Sequence, residues 1–187
     1  MSVQTPTSQT ATQNFSEAAV ELAKKLPDNA LFSSVRETGL ASFKTMPFPT
    51  RKTEAWKYTS LHALTQANYN QPATQGSAQV ADSLFAIEGV DAIRVVLVNG
   101  VYSDALSSNV ETAGLTLVAF SKANEQQKAT IAEYLGKTSE TERNLFTALN
   151  NGCVNEGVFI QIAKNQRIEK PIQLVNISTP QEAEATA

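Results

Sequence analysis

IRVVLVNGVYSDAL, residues 93–106, sets the fold class of this chain. Ile93–Val98 is β-branched at four of six positions, and Asn99-Gly100 follows at once. An Asn-Gly pair supplies the positive φ angles of a tight type I′ turn, so the spacing predicts a hairpin with strands over 93–98 and 101–106. Downstream, Leu115–Phe120 predicts a third strand. Helical periodicity returns over 124–135, ended by Gly136, and over 141–151. In the latter, Ser139 and Glu142 have capping-box spacing, Leu145, Ala148 and Leu149 form the buried face, and Gly152 supplies the exit. Two more strands are expected over 158–162 and 168–175; Pro171 cannot donate to a ladder and belongs at an edge or a strand start.

Upstream of the hairpin the pattern is helical. Residues 1–13 are Thr, Gln, Ser and Ala without an apolar period, which predicts a disordered tail. Asn14 with Glu17 has the spacing of a capping box, Phe15, Ala19, Leu22 and Leu26 repeat on one face, and Pro27 ends the run. A second helix is expected after Asp28 or Asn29, with Leu31 and Val35 on one face and Gly39 near its end. A third, short one carries Leu40, Phe43 and Met46 before Pro47-Phe48-Pro49 forces extended backbone, and Thr53 caps a further turn through Trp56. Residues 68–79 are polar and read as a loop. The class is α+β. The last two strands have no later element to cover them, which leaves open edges and predicts an architecture that continues past residue 187.

The bulk composition excludes several functions. Hydrophobic residues are 42% and charged residues 18% of the chain, as in globular proteins. A net charge of −3 disfavours a phosphate backbone unless cations are concentrated in one place. No apolar run approaches the roughly 20 residues of a membrane-spanning helix. The start, MSVQTPTSQTATQN, lacks a basic end, an apolar middle and any arginine, so neither a secretory signal nor a transit peptide is expected. The single cysteine fits a reducing compartment, and a cytoplasmic location is the expectation.

Catalytic constellations are nearly lacking. One His and one Cys cannot make a zinc site by themselves, and there is no Walker loop or GxGxxG. His62 follows Ser60 by two residues with no third group spaced to orient it; a Ser60–His62 hydrolase is the weakest reading. Cys153 is either a soft-metal or reactive thiol or, more simply, a small buried hydrophobe. Glu140 and Glu142 favour a helix start through the dipole and need no catalytic role.

The dense feature is PTRKTEAWKYTSL, residues 49–61, which gathers the only Trp, a Tyr and three cations. Stacking of bases on Trp56 and Tyr58 with phosphates on Arg51, Lys52 and Lys57 is one reading, disfavoured by the net charge. A core-anchoring Trp with solvated cations is the plain one. A stand-alone module that recognises a protein or peptide through the Arg51–Tyr58 surface is the third.

This segment resembles the SufB/SufD family, and its SufD-like members in particular. They carry Pro-x-Arg, then Glu-x-Trp-Lys-Tyr-Thr and a Leu two places on, matched here by Pro49, Arg51, Glu54, Trp56, Lys57, Tyr58, Thr59 and Leu61. VLVNGVY at Val96–Tyr102 is similar to the family's strand, turn and aromatic. FTALNNGCVNEGVFI, starting at Phe146, together with Glu169-Lys170-Pro171-Ile172, is similar to its entry into a central β-helix. The resemblance covers residues 15–175 in order. It implies an N-terminal helical region with a hairpin, followed here by the first strands of a truncated right-handed parallel β-helix. The corresponding domains are a tail over 1–13, an N-terminal α+β domain over 14–152, opening β-helix strands over 153–178 and a loose tail over 179–187. A solenoid needs about three coils for stability, more than this chain holds. The resemblance also implies a non-catalytic scaffold of SUF iron–sulfur cluster assembly. It would pair with a SufB-like subunit and a SufC-like ATPase, with a desulfurase supplying sulfur and no role for nucleic acid or membrane. It places no cofactor on this chain, the cluster being expected only on the full complex, and it assigns no ligand role to Cys153.

Overall fold

A computed structural model describes residues 8–67, 85–109, 112–139, 141 and 143–179. Its elements are helices α1 (Ser8–Lys24), α2 (Ser33–Thr45), α3 (His62–Gln66), α4 (Glu125–Tyr134) and α5 (Leu145–Gly152), 3-10 turns at Glu54–Trp56 and Phe120–Lys122, and strands β1 (Ile93–Val98), β2 (Val101–Tyr102), β3 (Leu115–Ala119), β4 (Val158–Ile162) and β5 (Ile172–Ile177). They fall into two compact units. One gathers α1, α2, α3 and α5; the other gathers the strands; α4 starts in the strand unit and ends in the helical one.

In the helical unit, Ala11, Phe15, Ala19 and Ala23 are buried at four-residue intervals along α1, with Leu26 just beyond it. Four-residue spacing keeps side chains on one helix face. Because Ala11 extends that stripe a turn upstream of Phe15, the helix starts at Ser8, and residues 8–13 are not the tail that their composition predicts. Asn14 is exposed inside the helix, and Glu17 accepts a hydrogen bond from Gln13 at 3.0 Å instead of closing a capping box.

The two helices expected between Asp28 and Met46 are one. Gly39 is not a terminator but lies buried in the middle of α2. A Cβ at Gly39 would lie 2.8 Å from both the Ala148 carbonyl oxygen and the Asn151 carbonyl carbon, and closer still to the Gly152 amide nitrogen. The missing side chain therefore lets α2 and α5 approach backbone to backbone. α5 is shorter than expected: Asn144 caps it, its Oδ1 accepting from the amides of Phe146 (3.0 Å) and Thr147 (3.2 Å). Ser139 takes no capping role; its hydroxyl accepts from Asn151 Nδ2 at 2.8 Å, and Thr141 Oγ1 accepts from the same nitrogen at 2.7 Å. Glu140 and Glu142 lie outside the described residues. The core of this unit is Phe15, Ala19, Phe43, Leu145 and Ala148, flanked by Val20, Met46, Phe48, Leu64 and Leu149.

In the strand unit the hairpin forms as expected at its turn, with φ of 49° at Asn99 and 84° at Gly100. β2 is only two residues long. After Ser103 the chain turns away, and two serines return to the same edge of β1: Ser107 Oγ accepts from the Val96 amide (3.0 Å) and Ser108 Oγ from the Arg94 amide (2.9 Å). The amides of Ser103 and Ser108 also donate to the Val96 and Arg94 carbonyls (both 2.9 Å), so a few backbone groups and two hydroxyls together stand in for the strand that residues 103–106 were expected to provide. On its other edge β1 pairs in parallel with β5, from Ile93 opposite Ile172 to Val98 opposite Ile177. Val95, Val96 and Val98 are fully buried. Pro171 stands just before β5, where its carbonyl accepts from Ile93 at 2.8 Å, so the strand-start position holds.

β4 pairs antiparallel with β3 over its full length. The last two strands therefore do not form a unit of their own over 153–178; each closes on a strand that precedes residue 120. Thr179, expected in a loose tail, exchanges two hydrogen bonds with the Asn99 side chain (2.9 and 3.0 Å). Residues 180–187, the rest of that expected tail, lie outside the described residues, as do residues 68–84, which include the polar loop. Among the described strands, the orders are β2-β1-β5 and β3-β4, so β5 and β4 each keep one open edge.

Candidate functional site

The segment from Pro49 to Leu61 is built on three aromatic anchors. Just ahead of it, Phe48 packs edge-on against Phe15 (centroids 5.8 Å, 78°) and against Phe146 of α5 (6.1 Å, 78°). Trp56, half-buried, also packs against the Phe146 ring (5.1 Å, 49°). Past the segment, Leu64 of α3 joins the core. Edge-on and tilted pairs at these separations are favourable geometries for aromatic quadrupoles.

Between the anchors the backbone is closed by local hydrogen bonds. The Thr53 amide donates to the Thr50 carbonyl (2.8 Å), and the Thr50 amide donates to Thr53 Oγ1 (3.1 Å). The Trp56 amide donates to the Thr53 carbonyl (2.9 Å) and the Thr59 amide to the Trp56 carbonyl (3.1 Å). Thr53 thus precedes the 3-10 turn at the expected place, but its hydroxyl bonds back to Thr50 and does not cap the turn.

With Trp56 turned inward, Arg51, Lys52, Glu54, Lys57 and Tyr58 are all exposed. Tyr58 is 92% exposed, and Lys57 Nζ stands 5.3 Å from its ring centroid. The fold therefore divides the motif: Trp56 holds the segment in place, and the other five named residues are turned out to solvent. Phe48 and Phe146, which hold that surface, were missed as site residues. Their signal was weak: a Phe between two prolines, and a Phe beside the buried Leu145.

Ser60 Oγ accepts from the backbone amide of His62 at 3.4 Å, a local turn contact and not a hydroxyl–imidazole pair. Cys153 closes α5, donating its amide to the Leu149 carbonyl at 2.9 Å. Burial pushes its thiol above the ordinary range, and the positive charge of Arg36 pulls it back by less. Arg36 donates to the carbonyls of Val154 and Pro27, both at 2.7 Å, and to Asn155 Oδ1 at 3.3 Å. Such an environment keeps a thiol protonated and unreactive. Among the described residues, no group of three or more His, Cys, Asp or Glu could hold a metal ion, and no helix is long and apolar enough to cross a membrane.

A family model described as the SufBD protein N-terminal region matches residues 7–174, the helical and strand units alike. The chain belongs to that family. It is also 29% identical over 130 residues to the iron-sulfur cluster assembly protein SufD of Escherichia coli (strain K12), a match that covers 70% of this chain and 28% of SufD. The chain thus spans little more than a quarter of the curated relative it matches. Its SufBD N-terminal region includes the whole Pro49–Leu61 segment and all five strands except the last residues of β5.

Proposed function

We propose that this chain is the N-terminal part of a SufD-like, non-catalytic scaffold subunit of SUF iron–sulfur cluster assembly. The observation that carries this reading is the family match over residues 7–174, together with the SufD relative. In the full-length protein the subunit pairs with a SufB-like scaffold subunit and a SufC-like ATPase. The cluster is cargo of the complex, energy comes from the ATPase, and no cofactor resides on this chain; the cytoplasm is the proposed compartment. Among the described residues one edge of β5 carries no strand and Leu174 is 60% exposed, which supports further strands of a parallel β-helix adding as β5 already pairs with β1.

The test uses the full reading frame, co-expressed with its SufB-like and SufC-like proteins. Co-purification, and cluster uptake by the complex on anaerobic reconstitution, are expected. The 187-residue chain alone should neither hydrolyse ATP nor gain a visible cluster absorbance band. Stoichiometric, cysteine-dependent absorbance on the isolated chain, or failure of the three proteins to associate, would refute the scaffold reading.

A further inference from the structure

We propose that the outward side of residues 51–58 is a docking surface for an acidic segment of a partner protein. The surface presents three cations, Arg51, Lys52 and Lys57, against a single carboxylate, Glu54, on a chain whose net charge is −3. None of the three cations is ion-paired within the fold among the described residues, whereas Lys24, Lys122, Lys128 and Lys170 each hold a carboxylate within 2.8 Å. The fold thus leaves these three charges available. Beside them Tyr58 offers an almost fully exposed ring. Tyr and Arg are enriched where proteins bind one another, since each combines contact area with directed hydrogen bonding.

The surface is also held in advance of binding. Phe48 and Trp56 pin the segment to Phe146, and the Thr50–Thr53 pair closes its turn. Binding therefore costs little ordering entropy in the segment. Charge complementarity selects an acidic partner. A single-stranded nucleic acid fits less well, because such sites string several stacking rings along a basic groove. Here Trp56 is committed to Phe146, and only Tyr58 remains. The surface stands on this geometry alone and is independent of the assembly reading.

Trp56 is the only tryptophan, so its fluorescence reports directly on the segment. The probe is a synthetic peptide of alternating Glu and Asp with one central Leu, titrated into the 187-residue chain. Controls are the same peptide with Lys in place of the acids, and oligothymidylate. A saturable change is expected with the acidic peptide alone, weakening several-fold between about 0.05 and about 0.3 M salt as screening shortens the reach of the charges. Arg51→Glu with Lys57→Glu should lose roughly tenfold or more in affinity, whereas Arg51→Lys with Lys57→Arg should stay within about twofold. Tyr58→Ala is the second variant, chosen because its ring is too exposed to support the fold, and weaker binding is expected. Loss of binding in either folded variant supports the proposal. No saturable change, equal binding of the lysine peptide, tighter binding of oligothymidylate, or unchanged binding in both variants overturns it.

Discussion

Gly39→Ala tests the packing of the helical unit most sharply. In an isolated helix the change is stabilising by about 1 kcal/mol, since Gly is the poorer helix former. Here the new methyl would meet α5 backbone on every near side: the Ala148 carbonyl oxygen and the Asn151 carbonyl carbon at 2.8 Å, and the Gly152 amide nitrogen closer still. Ordinary carbon contacts lie at about 3.5–4.0 Å, so the helices must part by roughly 1 Å, and a gap of that size forfeits a quarter to a half of each contact energy. Backbone cannot rotate out of the way as a side chain can. The cost therefore falls at the upper end of the roughly 1–3 kcal/mol typical of overpacking. Net of the propensity gain, a loss of about 2 kcal/mol is expected. For a chain of this length that lowers the midpoint by about 4–8 °C. Trp56 fluorescence is the assay, because the only tryptophan lies in the helical unit. Gly152→Ala is the comparison: its Cβ would press mainly on the Leu40 side chain, at 2.8 and 2.9 Å, which has rotamers to yield. A smaller loss is expected there. An unchanged or raised midpoint for Gly39→Ala would refute the close backbone approach of α2 and α5.

Two further outcomes follow from the same physics. Ser107→Ala and Ser108→Ala each strip an acceptor from an amide on the edge of β1, which should cost about 1–2 kcal/mol apiece. Hydrogen exchange should accelerate at Val96 in the first variant and Arg94 in the second; unaltered exchange at both would show that water replaces the hydroxyls without loss. The Cys153 thiol, raised by burial, should alkylate slowly at neutral pH, with a rate midpoint above that of the denatured chain. Its sign follows from proton linkage: the folded state holds the proton more tightly, so the contribution to stability is complete below the unfolded thiol's pKa and is lost as pH rises through the folded value. A midpoint at or below the denatured one would contradict the raised thiol of this half-buried cysteine.

Several elements were legible because their causes are local. The Asn99-Gly100 turn needs only two residues with positive φ, and β1 and β4 form over the expected residues because β-branched and apolar runs bounded by turn signals carry their own pattern. The helix end at Gly136 is equally local, with φ of 78°. Local patterns failed where a distant segment intervened. Gly39 reads as a stop until α5, over a hundred residues downstream, is seen against it. Asn14 reads as a cap until Ala11 is found on the buried stripe. β2 ends early where the Ser107 and Ser108 hydroxyls and the Ser103 and Ser108 amides meet β1 in its place.

The candidate surface shows the same division. Order along the chain was enough to assemble Arg51, Glu54, Trp56, Lys57 and Tyr58 in one segment and to mark its kinship with the SufB/SufD family. Which of them face water was decided by Phe146, whose ring claims Trp56 across some ninety residues of intervening chain. Likewise, that the last two strands exist was written in their apolar runs, but their partners, β3 antiparallel and β1 parallel, came only with the folded chain. The physical reason is common to these cases. Propensity and turn chemistry act between neighbours in sequence, whereas burial and ladder pairing depend on which surfaces meet, and that meeting is settled by packing across the whole unit.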